Sequence, residues 1–440
     1  MAFDVPTTRG AYSSLSDGWT YLNGGFRAQI PERVLATMTT AFRLAPKALA
    51  GEASTGAHSR GVAAGATAAR QFEDSARRAF ADMAGAPFEA VALGPSKEVL
   101  IQSFTQAMSR RISLGTNLVT TRSGDATTQL LIKRAADLYG AKVRYAEADL
   151  SLGTIPAWQF DDLVDSQTAL VFITAADPYV GTMASVTEIS RRVRAAAGSK
   201  PWIVVDASSC APYRVIDMDA LGADIVLFDA AQWGGPEVSA LVFRNPAMLE
   251  RVPSLRAGGA GAVASGAAGS GAASSGARDI SKLEIAPVAP ALLGGVSESV
   301  RHIAQLDSAA RGTRRRKIQA SLPQVTEYLD GLTRRLIDSL DYMSHVHIVG
   351  IPGERDELAQ LRHVKRIPRI SFLVPGVPAT DVVRRLLDNK LVTSAVEPED
   401  SPLLKAMGID EAGGAVTVGL QPFNTAHDID QLVRAVASLG

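Results

Sequence analysis

Between residues 90 and 244, short β-rich runs alternate with segments long enough to be helices, and that alternation leaves few folds open to the chain. The runs are AVAL (90–93), NLVTT (117–121), KVRYAEA (142–148), ALVFITAA (169–176), PWIVVDAS (201–208), DIVLFDA (224–230) and SALVF (239–243). Several are apolar at every position and not at every second one, which is what strands buried on both faces of a mainly parallel sheet require. The intervening TEISRRVRAAAG (Thr187–Gly198) spaces its apolar side chains for a helix and closes on a glycine stop. The pattern predicts an α/β fold, a mainly parallel sheet with helices on both faces.

Residues 257–278 are Gly, Ala or Ser apart from Val263 and Arg278. Such a tract buries too little apolar area to offset its ordering entropy, so a mobile loop is expected, its ends roughly 25 Å apart as a flexible coil. A long helical stretch at about 296–340 follows, then HVHIVGI, IPRISFLV and GAVTVGL interleaved with helices. The changed order predicts a second, smaller α+β domain.

A chain of 440 residues with 46% hydrophobic content can bury a large core. Its 45 basic and 45 acidic side chains cancel, and no segment gathers Lys and Arg as a nucleic-acid groove or a membrane patch does. The densest basic run, Arg311–Lys317, reads as a solvated helix face. One cysteine, Cys210, excludes an intrachain disulfide and reads as a small buried side chain. No apolar run reaches the ~18 residues of a membrane helix, and the N-terminus lacks a signal-peptide core. A cytoplasmic protein is expected. His345 and His347 alternate on one strand face without an acid or Cys cluster, so no metal site is expected.

The chain resembles the aminotransferase class V family, the fold-type I pyridoxal-phosphate (PLP) enzymes that include the cysteine desulfurases. The landmarks are YLNGG (Tyr21–Gly25), GAHSRGVAAGATAARQFEDSARRAFADM, VVDASSCAP (Val204–Pro212), LGADIVLFDAAQWGGP and QPFNTAHDIDQLVRAV. Actinobacterial cysteine desulfurase-like proteins are similar in the N-terminus, the WGGP turn and GGAVTVGL. The resemblance implies a seven-stranded PLP-transferase domain over 41–310, a small C-terminal α+β domain over 311–440, and an N-terminal segment, 1–40, packed on the small domain. It also implies a homodimer.

PLP chemistry needs a lysine for the internal Schiff base, an acid for the pyridinium nitrogen, donors for the phosphate and a cation for the substrate carboxylate. Asp206, ending the apolar strand at the sheet's carboxyl edge, matches the pyridinium partner. The backbone N–H groups of Ser96 and Lys97 match the phosphate-binding helix start. Asp229 falls where the family has a phosphate-contacting hydroxyl, so Lys97 pairing with Asp229 is one expectation. Ser209 replaces a glutamine, Pro178 an asparagine that touches the ring hydroxyl, and Gly124 or Asp125 the stacking histidine.

The Schiff-base lysine corresponds to Gln232, which cannot form an aldimine, although Trp233, Gly234, Gly235 and Pro236 keep the turn. Lys97, at the phosphate end, is a poor substitute. Leu391–Leu404 has no sulfur-carrying cysteine and bears Glu397, Glu399 and Asp400 instead. The carboxylate arginine corresponds to Thr417, leaving no clear cation for a substrate carboxylate. Ser281–Pro290 lacks the Gly-Thr pair through which a partner subunit contacts the phosphate.

The expectation is a degenerate homologue without covalent PLP catalysis, acting through ligand or protein binding, its protein partner unidentified. The alternative is a PLP-dependent transferase or lyase acting on an amino acid and holding PLP noncovalently. A third reading, non-PLP chemistry by Glu397–Asp400 with Asp206, specifies no reaction.

Overall fold

The computed structural model of the protein describes residues 3–47, 67–255, 280–350 and 364–439; the Gly/Ala/Ser tract at 257–278 lies outside them. Strand β1 (Thr20–Tyr21) precedes seven strands that form the main sheet: β2 (Val91–Gly94), β3 (Asn117–Thr121), β4 (Lys142–Ala146), β5 (Thr168–Thr174), β6 (Trp202–Asp206), β7 (Ile225–Asp229) and β8 (Ser239–Phe243). Their spatial order is β2-β8-β7-β6-β5-β3-β4, and β8 alone runs antiparallel to its neighbours. All seven correspond to the runs read from the sequence.

These strands lack polar alternation because both faces are covered. Val171, Ile203, Val205, Val226 and Phe228 face one core, packed against Phe80 and Met83 of helix Ala68–Ala84 and against Val296 and Val300 of helix Pro290–Ala304. Leu170, Phe172, Trp202, Val204 and Leu227 face the other core, with Leu100 and Phe104 of helix Lys97–Ala107 and Ile132 of helix Ala126–Tyr139.

The long helical stretch is two helices, Pro290–Ala304 and Arg314–Asp341, not one. The chain turns at Gly312, in the left-handed region at φ 97°, and restarts at Thr313, whose side chain caps Arg316 N–H. The basic run at this restart is not simply a solvated face. Arg314 pairs with Asp82 at 2.6 Å, and Arg315 donates to the Met83 carbonyl at 2.8 Å, so both dock on the end of helix Ala68–Ala84.

The C-terminal part builds a four-stranded antiparallel sheet from β9 (His347–Ile348), β10 (Arg369–Leu373), β12 (Ser394–Val396) and β13 (Ala415–Gly419), in the order β12-β13-β10-β9. The two-residue strand β11 (Leu391–Val392) pairs in parallel with β1 instead, tying the N-terminal segment to this region. Strand β10 alternates: Ile370 and Phe372 enter the apolar core, while the buried Arg369 and Ser371 point the other way, toward the carboxyl edge of the main sheet. That alternation decides what the site contains.

Candidate functional site

The carboxyl ends of β6 and β7 and the turns after them converge with β10. Asp206, the last residue of β6, is 6% exposed; its Oδ1 accepts the Ser208 N–H at 2.9 Å. Ser96 caps helix Lys97–Ala107, its Oγ accepting the Val99 N–H, and thereby starts the helix that carries Lys97 inward.

The Lys97 ammonium lies 2.5 Å from Asp125 Oδ2 and 3.7 Å from Asp206 Oδ2. The expected pairing of Lys97 with Asp229 is therefore replaced by a bridge between two other carboxylates. Burial alone would depress the Lys97 pKa, but Asp206 and Asp125 outweigh it and hold the ammonium charged well above its ordinary range. Burial acts to raise the Asp125 pKa, yet Lys97 and the Thr128 N–H and hydroxyl bring it below the ordinary value. Asp125 is fixed as the cap of helix Ala126–Tyr139, accepting the Thr128 N–H at 2.7 Å. Beside it Gly124 sits at φ 102°, and a Cβ there would fall 2.8 Å from Thr174 Oγ1. Asp177 closes the turn, accepting from Ser123 Oγ and Gly124 N–H, both at 3.0 Å.

Asp229 ends β7 and caps the short 3-10 turn Ala230–Trp233 through the Ala231 N–H at 3.1 Å. Burial pushes its carboxyl up to about 6, against the lowering effect of the Ala231 N–H and Lys97. Gly234 then reverses the chain at φ 77°, with Gln29 O only 2.4 Å from where a Cβ would stand. Trp233 is buried and donates its indole N–H to Ser299 Oγ at 3.1 Å.

Gln232 points back into the site, where its Oε1 accepts Nη2 of Arg369 at 2.7 Å. Nη1 of the same guanidinium donates to Ser209 Oγ at 3.2 Å and toward the Pro178 carbonyl at 3.4 Å. Arg369 is wholly buried, its Nε has no hydrogen-bond partner, and no ion pair joins it to any described residue. The sequence reading found no clear cation for a substrate carboxylate; the structure brings one to the site, Arg369, on the strand β10 that pairs directly with β13, where Ser371 lies opposite Thr417 and Arg369 opposite Gly419. Thr417 itself shares a 2.6 Å hydroxyl contact with Ser371. The signal was present in IPRISFLV, where Arg and Ser take the alternate positions of an otherwise apolar strand.

Other expected site residues lie elsewhere or are spent on structure. Glu397 and Asp400 form a reciprocal capping box on the turn Pro398–Asp400, and Glu399 lies 3.6 Å from Lys405 on the surface. Cys210 is 2% exposed, and burial pushes its thiol up to about 12. His345 Nε2 contacts the Val436 carbonyl at 3.1 Å, and among the described residues no group of three or more His, Cys, Asp or Glu side chains is arranged to hold a metal. Among the described residues no helix is long and apolar enough to cross a membrane. Lys282 is 9% exposed, with Nζ 3.4 Å from the Leu249 carbonyl.

The model of the family described as aminotransferase class-V matches residues 20–432. Among curated proteins, a Mycobacterium tuberculosis protein called uncharacterized protein MT3887 is 35% identical over the full length of both chains. A probable cysteine desulfurase of Pseudomonas aeruginosa is 24% identical, covering 97% of this chain and 95% of that one. The crystal structure of the cysteine desulfurase CsdA from Escherichia coli superposes with a TM-score of 0.77 at 17% identity, covering 100% of this chain and 98% of the other. Identity that low establishes the shared fold, and the family match with the full-length relative establishes kinship. On the strength of both, the chain belongs to the aminotransferase class-V family.

Proposed function

We propose that this protein is a cysteine desulfurase-like member of the class-V family that has lost covalent PLP catalysis and acts by binding a ligand or a protein at the remodelled site. The observation that carries the reading is the 2.7 Å contact from Arg369 to Gln232, at the position where the family resemblance puts the Schiff-base lysine. A carboxamide has no amine to condense with an aldehyde.

The residues present do not fit PLP in its usual seat. The Lys97 ammonium stands against Asp206 at 3.7 Å, where a pyridinium N–H would have to pair, and it is held there by Asp125 at 2.5 Å. Asp229, at the phosphate end, is an acid that burial already disfavours in its charged form; a phosphate dianion beside it would be repelled. Neither Gly124 nor Asp125 offers a ring face for stacking. Asp206, Ser96, Lys97, Ser209 and Asp229 are thus read as the lining of a converted site, and no catalytic step is assigned to any of them. The homodimer, the two-domain division at 41–310 and 311–440, and a cytoplasmic location complete the reading.

The alternative, noncovalently held PLP serving a transferase or lyase acting on an amino acid, is supported by Asp206 at the strand edge but opposed by Lys97 beside it. One experiment addresses both: incubation of the purified protein with PLP, dialysis, borohydride reduction and intact mass. No pyridoxyl adduct and no retained aldimine absorbance are expected. An adduct would restore a Schiff-base lysine and overturn the reading. PLP retained without an adduct would favour the alternative.

A further inference from the structure

We propose that Arg369 is the receptor for a small carboxylate and that Gln232 is the uncharged stopper that occupies its seat until the carboxylate arrives. The inference rests on the reading of Gln232 as a residue that carries no PLP.

A guanidinium presents its Nε and Nη2 hydrogens side by side, in the spacing of the two oxygens of a carboxylate. In this chain one half of that fork, Nη2, is taken by the neutral Gln232 oxygen at 2.7 Å, and the other half, Nε, has no partner at all. The remaining contacts, Ser209 Oγ and the Pro178 carbonyl, are neutral too. The other cation of the site, Lys97, by contrast lies against two carboxylates. A fully buried arginine with only neutral acceptors and an orphaned N–H is costly, and the missing term is one anion in contact with it.

The surroundings suit a carboxylate that enters past Gln232. Arg369 is 0% exposed, whereas Gln232 and Ser209, which cover its tip, are both partly exposed. Rotation of one flexible side chain therefore opens the guanidinium to solvent. On the Nε edge the backbone of Gly25 lies close: a Cβ there would stand 3.3 Å from Nε, so glycine keeps that edge free of a side chain. The fork lies outside the carboxyl ends of β6 and β7, the edge at which wound α/β sheets take ligands.

The test uses the full chain and acetate, with chloride at equal ionic strength as control. Gln232→Glu supplies the missing anion covalently in the same shape. It is expected to raise the thermal midpoint above wild type, and the introduced carboxyl should titrate roughly one unit or more below an ordinary glutamate. Acetate, but not chloride, should raise the midpoint of Gln232→Ala saturably, at concentrations on the order of tenfold lower than for wild type, because no carboxamide has to be displaced. Gln232→Glu should show no acetate response, and neither should Arg369→Gln. Should Arg369→Gln fail to fold, the two Gln232 variants decide alone. A lowered midpoint in Gln232→Glu, an undiminished acetate response in that variant, or no response in Gln232→Ala would each overturn the proposal. A borohydride-trapped pyridoxyl adduct would instead overturn the reading on which it rests, so the two failures are separable.

Discussion

Gln232 Oε1 accepts a 2.7 Å hydrogen bond from Nη2 of Arg369, so the turn that in relatives of this fold is expected to present a lysine here presents a neutral acceptor to a buried cation. The same guanidinium touches Ser209 and the carbonyl of Pro178, two further positions at which the family resemblance leads one to expect other residue types. Gln232, Ser209 and Pro178 thus meet around one arginine.

Restoring the lysine alone therefore fails. Gln232→Lys sets an ammonium against Arg369 in a buried site, where like charges repel and the old acceptor is gone; a cost of about 1–3 kcal/mol is expected. Chemical denaturation will show a lowered midpoint, and borohydride trapping with PLP will give at most a trace adduct. Adding Arg369→Val should recover part of the lost stability. A Gln232→Lys protein as stable as wild type that loads PLP stoichiometrically would contradict this.

Lys97 holds two carboxylates together. Lys97→Met leaves Asp125 and Asp206 facing each other without a cation, and we expect a loss of about 2–4 kcal/mol at neutral pH, somewhat below the figure for a fully buried pair because about a fifth of the Lys97 and Asp125 side chains is exposed. The deficit should shrink as pH falls and Asp125, which Lys97 holds below its ordinary pKa, takes up a proton. Urea midpoints of wild type and variant at pH 5 and pH 8 measure it; equal deficits at both would show that the bridge contributes through packing alone.

Asp229 gives a pH dependence of opposite sense to that of most paired acids. Its folded pKa, about 6, is raised from the ordinary 3.8, so between these values the native state binds the proton more tightly than the unfolded chain. The stability it confers is full below about pH 3.8 and is lost as pH rises through about 6. Asp229→Asn, which keeps an oxygen for the Ala231 N–H, should remove this slope and be more stable than wild type at pH 7 by about 1–3 kcal/mol. A denaturant series from pH 4 to pH 7.5 on both proteins checks the sign.

Gly234 fixes the turn that aims Gln232. At φ 77°, with Gln29 O 2.4 Å from the Cβ position, Gly234→Ala combines a left-handed strain with a backbone clash. A loss of about 1–3 kcal/mol is expected, accompanied by a change in the fluorescence of the adjacent Trp233 as its bond to Ser299 is disturbed. An unchanged emission spectrum and midpoint would mean that the turn tolerates a second conformation.

The large sheet can be read from the order of residues along the chain, because seven runs buried on both faces must be apolar at nearly every position and so stand out from amphipathic helices. The same order shows as well that Asp206 ends a strand and that Gln232 follows the one before the WGGP turn, since both are local properties of the chain. It did not separate helix Pro290–Ala304 from Arg314–Asp341, where amphipathic spacing continues across a break made by Gly312 and Thr313. Which charges meet was settled by packing between distant elements. Lys97 chose Asp125 and Asp206 over Asp229, and Arg369 reached Gln232 across 137 positions of sequence, because β10 presents its alternate residues to the edge of the large sheet. Hydrophobic periodicity records what is buried along one element; an ion's partner is set by the packing of elements distant in sequence, and no local pattern carries it.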